Sequence, residues 1–142
     1  MSIVLDASMA LAWFIDRADP AEAVLAQHAF SHVSAFGAEV PALWCAEIGN
    51  TLLVFERAKR LTEQDSQSYL SDLALIAIVQ DDHPPASRQS RVLDLGRSYK
   101  LSAYDATYLE LAMRRGAQLA TFDRKLAGAA RAAGVRVFGD PA

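Results

Sequence analysis

Residues 3–9 read Ile3-Val4-Leu5-Asp6-Ala7-Ser8-Met9: a short apolar run that stops on a carboxylate, followed without a linker by the start of a helical pattern. In an open α/β sheet the chain turns back just beyond the carboxyl ends of its strands, and ligands bind in the crevice left there. Asp6 is placed at such a crevice. A second run, Leu119-Ala120-Thr121-Phe122, also ends on an acid, Asp123, with a helical segment predicted over Arg124 to Ala133. Two strand-ending acids before two helices make one candidate site.

The helices and strands between these runs alternate. After Asp6 a helix is expected from about Ser8 to Asp16. Asp19, Pro20 and Glu22 supply an N-cap acceptor, a proline at the first helical position and an early carboxylate, so a helix is predicted to about His32. A strand follows near Ala38 to Val40, closed by Pro41, from which a long helix to roughly Arg60 is read, with Trp44, Ile48, Leu52 and Phe55 as its core stripe. Thr62 with Asp65 opens another helix, and Ile76 to Val79 turn strand-like. Asp81-Asp82-His83-Pro84-Pro85 is a turn, the two acids taken as solvated. A helix covers about Ser87 to Tyr99. Ser102 and Asp105 resemble a capping pair for a helix to Arg115, stopped by Gly116, and Gly134 stops the last helix before a final strand, Val135 to Phe138. Strands alternating with helices imply a mostly parallel sheet covered on both faces.

At 142 residues and 52% hydrophobic content the chain is long and apolar enough for one domain with a sizeable core. The single cysteine, Cys45, excludes an internal disulfide framework and a cysteine-based zinc cluster. The longest apolar run, Leu73 to Val79, is far short of a membrane span, and no leader segment is read, so a cytoplasmic location is expected. Net charge is −3, divided unevenly: seven acids face the single Arg17 in the first 56 residues, and the remainder carries +3. Arg57, Lys59, Arg60, Arg88, Arg91, Arg97, Lys100, Arg114 and Arg115 are candidates for a basic rim, with solvated helix faces the favoured alternative.

Two further acids join the site. Asp105 shares a helical face with Tyr108, Leu109 and Ala112, an apolar surface where an ionised carboxylate needs a cation or hydrogen bonds; a capping role beside the helix dipole is the equal alternative. Glu47 is read in mid-helix next to the core stripe, where solvation alone would otherwise explain it. Asp6, Glu47, Asp105 and Asp123 can all reach one edge of the sheet. Without matching cations they repel, and a hard divalent ion such as Mg²⁺, which takes oxygen ligands and keeps several waters, removes that penalty. The chemistry then matches metal-dependent phosphodiester hydrolysis. Ser8 and Thr121, beside two of the acids, are supporting candidates. His28 and His32 make a weak zinc pair, and no Gly-rich phosphate loop is present.

VLDASMALAWF at residues 4–14, AEIGNTLL at 46–53, LSAYDATYLELA at 101–112 and LATFDRKL at 119–126 resemble the PIN-domain ribonucleases, most closely the VapC-type toxins of type II toxin–antitoxin pairs. The resemblance spans nearly the whole chain. It implies a single PIN-like domain over residues 1–142, a three-layer α/β/α fold with a mostly parallel central sheet. It also implies that Asp6, Glu47, Asp105 and Asp123 are catalytic ligands of Mg²⁺ or Mn²⁺, that RNA is the substrate, that a small antitoxin is the partner and that the protein is a homodimer. Lys125 stands where some PIN domains carry a further acid, leaving fewer ligands for a second ion. Trp13 and Phe14 are candidates for partner surface or for simple core packing.

Two other folds that gather acids fail on single residues: Ala7 and Gly139 do not match a response-regulator receiver, and Ser8 does not match a haloacid-dehalogenase-like phosphatase. A catalytically silent RNA- or protein-binding module of the same fold is the remaining alternative.

Overall fold

A computed structural model describes residues 2–141. Its centre is an all-parallel sheet of four strands, β1 (Ile3–Leu5), β2 (Ala38–Val40), β3 (Ile78–Gln80) and β4 (Gln118–Ala120), in the order β3-β2-β1-β4. Successive strand residues point to opposite faces, and every residue of β1 and β4 is buried, so helices cover both faces of the sheet at its middle. Seven helices surround it among the described residues: α1 (Ala7–Leu11), α2 (Pro20–Phe36), α3 (Trp44–Arg57), α4 (Glu63–Leu73), α5 (Pro85–Tyr99), α6 (Ala103–Arg115) and α7 (Arg124–Ala132).

The strand order creates the site. From β1 the chain adds β2 and β3 on one side, then crosses to β4 on the other, so the direction of winding reverses between β1 and β4. This is the switch point at which open α/β sheets leave a crevice. Asp6 directly follows β1, and Asp123 lies three residues past β4.

Local sequence chemistry fixes most helix starts. The Asp19 side chain accepts from the Ala21 N–H with Pro20 at the first helical position, and Thr62 and Asp65 form a complete capping box. Ser102 Oγ accepts from the Asp105 N–H at 3.1 Å, and Gly116, at φ +60°, ends α6.

Several expected boundaries move. The first helix is regular only to Leu11 and continues as turns, in which Trp13 donates its indole N–H to the Ala26 carbonyl (3.0 Å) and Phe14 stacks on Tyr69. Both rings thus make contacts within the domain while remaining partly exposed. The helix expected from Pro41 begins at Trp44 and ends at Arg57, which puts Glu47 in its first turn instead of its middle. Of its stripe, Trp44, Ile48 and Leu52 are buried while Phe55 is half-buried beneath the Arg60 guanidinium. β4 stops at Ala120, so Asp123 does not end a strand. The expected last strand is a single parallel bridge, Leu119 to Val137.

A charged clamp locks α6 against its neighbours. Glu110, 3% exposed, accepts from Arg114 on its own helix and from Arg88 of α5. Arg114 also grips both carboxylate oxygens of Asp81, at 3.1 and 2.6 Å, just after β3, while Arg115 pairs with Glu39 of β2. Asp81 is thus a half-buried ion-pair partner, contrary to the solvated turn expected. Arg88, Arg114 and Arg115 are engaged in internal pairs, which removes three members from the basic rim, while Arg97 stays exposed beside Asp94.

The Arg114 guanidinium holds the Asp81 carboxyl down at about 2, against an ordinary value of 3.8. A carboxyl whose folded pKa is depressed contributes stability above its ordinary value and loses it as pH falls through the folded value. Asp81→Asn is expected to lower the melting temperature at neutral pH, with the gap to the unsubstituted protein closing between about pH 4 and about pH 2. A gap that is constant across that range would assign the loss to shape instead of charge.

Candidate metal centre

Two hydroxyls stitch β1 to the loop after β4. Asp6, 7% exposed, caps α1 by its backbone alone, and its Oδ2 accepts from Thr121 Oγ1 at 2.6 Å and from Ser8 Oγ at 2.7 Å. Each hydroxyl is itself oriented from the other side: Ser8 Oγ accepts the Phe122 N–H (3.0 Å) and Thr121 Oγ1 the Asp123 N–H (2.9 Å). The carboxylate of Asp6 is therefore fixed in direction before any ligand arrives. Asp123 is exposed and caps α7, accepting the Leu126 N–H on Oδ1 at 2.9 Å.

The other two acids come from helices that start near the same edge. Glu47, half-buried in the first turn of α3, accepts the Tyr108 hydroxyl on Oε1 at 2.5 Å. Tyr108 is fully buried, so its hydroxyl has one side-chain partner and Glu47 has a rigid post to lean on. Asp105 is at the third position of α6, and its backbone N–H, not its carboxylate, makes the bond to Ser102. Only α4 closes the reciprocal box, so capping does not account for the Asp105 side chain.

Electrostatics tie the four together. Burial pushes the Asp6 carboxyl up, and the charge of Asp123 adds to it, against the pull of the Thr121 and Ser8 hydroxyls. Glu47 is also raised, by burial and then by Asp6 and Asp105, against the Tyr108 bond. Asp105 is raised by burial, Asp123 and Asp6, with Lys125 opposing. Each raised acid is thus in the field of the others, and among the described residues none of the four forms an ion pair.

A second acidic group gives the contrast. Asp81, Asp82 and His83 are the only set of three or more His, Cys, Asp or Glu, among the described residues, whose ligand atoms all lie within 4.8 Å of one another. That spacing suits a cation, but the arginines of α6 already supply the countercharge, and Asp81 is shifted down where Asp6, Glu47 and Asp105 are shifted up. No three of the switch-point acids have ligand atoms that close, and an ion that keeps waters can meet some carboxylates through them. Hard oxygen donors, uncompensated charge and hydroxyls that fix one carboxylate all fit a divalent ion there. His32 packs its ring against Phe36 and Phe138.

A family model for the PIN domain matches residues 3–132, which include all four acids. The chain belongs to the PIN domain family. PIN domains are typically metal-dependent nucleases. Among solved structures, PAE2754 from Pyrobaculum aerophilum superposes with a TM-score of 0.66 at 24% identity, over 91% of this chain and 79% of that one. FitAcB from Neisseria gonorrhoeae does so with a TM-score of 0.63 at 19% identity, over 96% of both chains. At these identities the likeness is one of fold. No curated protein matches the chain. Within the PIN domain read here, Tyr108 is the residue that sequence reasoning missed as a site member: it was assigned to the apolar face of α6, and its hydroxyl contact with α3 crosses 61 positions of sequence.

Because Asp105 is raised by burial and by its acidic neighbours, its ionised form costs the metal-free protein stability. Asp105→Asn removes that charge at nearly constant shape. The variant is expected to melt at an equal or higher temperature in EDTA. A lower melting temperature, on the order of 0.3 to 1 kcal/mol of lost helix-dipole interaction, would return Asp105 to a capping role.

Proposed function

We propose that this PIN domain is a Mg²⁺- or Mn²⁺-dependent endoribonuclease in which Asp6, Glu47, Asp105 and Asp123 hold the ion, with Ser8 and Thr121 in support. The observation that carries this reading is the pair of opposed acidic groups: one neutralised by arginines, the other left without an ion pair at the switch point. A divalent cation at such a site polarises a phosphoryl oxygen and lowers the pKa of the attacking water. The chain's own contribution is orientation. Ser8 and Thr121 set the Asp6 carboxylate, Asp123 anchors α7 through its cap, and Tyr108 holds one oxygen of Glu47.

The order of the four acid-bearing motifs supports a toxin of the VapC type, acting as a homodimer in the cytoplasm and restrained by a small antitoxin. Uncompensated carboxylates attract cations of any kind, so an antitoxin that inhibits at this site offers an arginine or lysine to it. Charge reversal of that partner residue relieves the inhibition.

Cleavage of single-stranded RNA, followed while Mg²⁺ or Mn²⁺ is titrated, tests the reading. Activity is expected to require the ion and to vanish in EDTA. Asp6→Asn and Glu47→Gln abolish it, and Tyr108→Phe lowers it about 10- to 100-fold, the usual effect of removing the partner of a metal ligand. RNA cut equally well in EDTA, or by Asp6→Asn, contradicts the proposal, and a folded protein that binds RNA without cutting it returns the chain to the silent binding module.

A further inference from the structure

A cavity of ≈ 480 Å³ opens beside the switch-point acids, with Thr121 and Asp123 in its wall. Its size falls within the range of about 300 to 1,000 Å³ typical of small-ligand sites. Its remaining lining comes from the start of α2, from α7 and from the segment after Val137. Gly139, at φ +96°, brings that last segment so close to α2 that a Cβ there would stand 2.6 Å from Leu25 Cδ1. The cavity is thus closed on one side by the chain's own C-terminal segment, and Asp123 is the switch-point acid in its wall.

Its lining combines two aromatic rings with charges of both signs, Arg124 and Arg131 beside Glu22, Asp123 and Asp140. Phe122 and Phe138 line it half-buried, and the Arg17 guanidinium lies 4.3 Å over the Phe122 ring. Arg17 is held by Glu22 at 3.3 Å and Arg131 by Asp140 at 2.7 and 2.9 Å, so both are fixed in place. Arg124, exposed at the first position of α7, has no ion pair or side-chain hydrogen bond among the described residues. Aromatic rings and guanidinium planes are the surfaces on which unpaired bases stack, and a free guanidinium is a donor fork for phosphate. The nine cations proposed for the rim from sequence do not include these three arginines.

We propose that this cavity is the subsite for the nucleotide next to the scissile phosphate of a single-stranded RNA, its base packed against Phe122 and Phe138 and its outer phosphate on Arg124. The assignment rests on the nuclease reading, because Thr121 and Asp123 join the subsite to the site of cleavage. It makes the loop after β4 serve both ends of one substrate: its acid faces the bond to be cut and its arginine faces the flanking phosphate.

The test uses the full chain and a fluorescent pool of mixed-sequence 2′-O-methyl tetranucleotides, which resist cleavage, with Mn²⁺ binding measured in parallel by calorimetry. Arg124→Glu, an exposed change that does not threaten the fold, and Phe138→Ala are each expected to weaken tetranucleotide binding on the order of tenfold, the scale of one stacked base or phosphate contact. Mn²⁺ binding is not weakened in either variant. With RNA as substrate, Arg124→Glu raises KM and leaves kcat close to its original value. Tetranucleotide affinity unchanged in Arg124→Glu overturns the subsite, as does an unsubstituted protein that binds no tetranucleotide. Loss of Mn²⁺ binding and of cleavage in the unsubstituted protein, with tetranucleotide binding still dependent on Arg124, overturns the nuclease reading and keeps the cavity as a nucleotide site.

Discussion

Uncompensated negative charge at the junction of β1 and β4 is the constraint to which the rest of the molecule answers. Carboxylates in a partly desolvated crevice repel one another and favour either protonation or separation. Here separation is opposed by the surrounding structure. Asp6 is fixed by two hydroxyls that are themselves fixed by backbone N–H groups, Glu47 by a buried tyrosine, and Asp123 by its cap on α7. The cluster keeps its shape because three of its members are tethered and the elements that carry all four are locked together elsewhere.

Helix α6 shows how that locking is arranged. Its first turn carries Asp105 into the acidic crevice, its middle supplies Tyr108 to Glu47, and its last turn carries Glu110, Arg114 and Arg115 into a network that reaches α5, β2 and the end of β3. Charge is balanced at one end of the helix and left unbalanced at the other. Breaking one partner of a buried pair is costly, since the survivor stays buried without its countercharge. The clamp therefore resists any tilt of α6 that would let the acids drift apart.

How much of this was legible depended on the range of the interaction. Caps are local: Asp19-Pro20, Thr62 with Asp65, and Ser102 before Asp105 are read from neighbours within four residues, and those helices start where expected. The apolar runs gave all four strands and the parallel α/β class. Short-range reading erred where a residue type has two uses. Pro41 does not begin α3, because the chain makes a turn before Trp44, and the apolar Val135 to Phe138 segment meets the sheet at one bridge only. Long-range pairs were illegible. Nothing in Asp81-Asp82 announces Arg114, and nothing in Tyr108 distinguishes a core ring from one whose hydroxyl reaches Glu47. The cations were misplaced for the same reason: arginines counted as a rim are internal partners, while Arg124 and Arg131 line the cavity beside Asp123 and Arg17 lies over its Phe122 ring.

The central claim is that charge balance, and not spacing alone, decides which acidic group takes an ion. Titration of Mn²⁺ into the metal-free protein, compared for Asp6→Asn and Asp81→Asn, tests it most directly. Binding is expected in the unsubstituted protein and in Asp81→Asn, and is expected to be lost in Asp6→Asn. Binding that survives Asp6→Asn and disappears in Asp81→Asn would move the metal site to the turn after β3 and contradict the account.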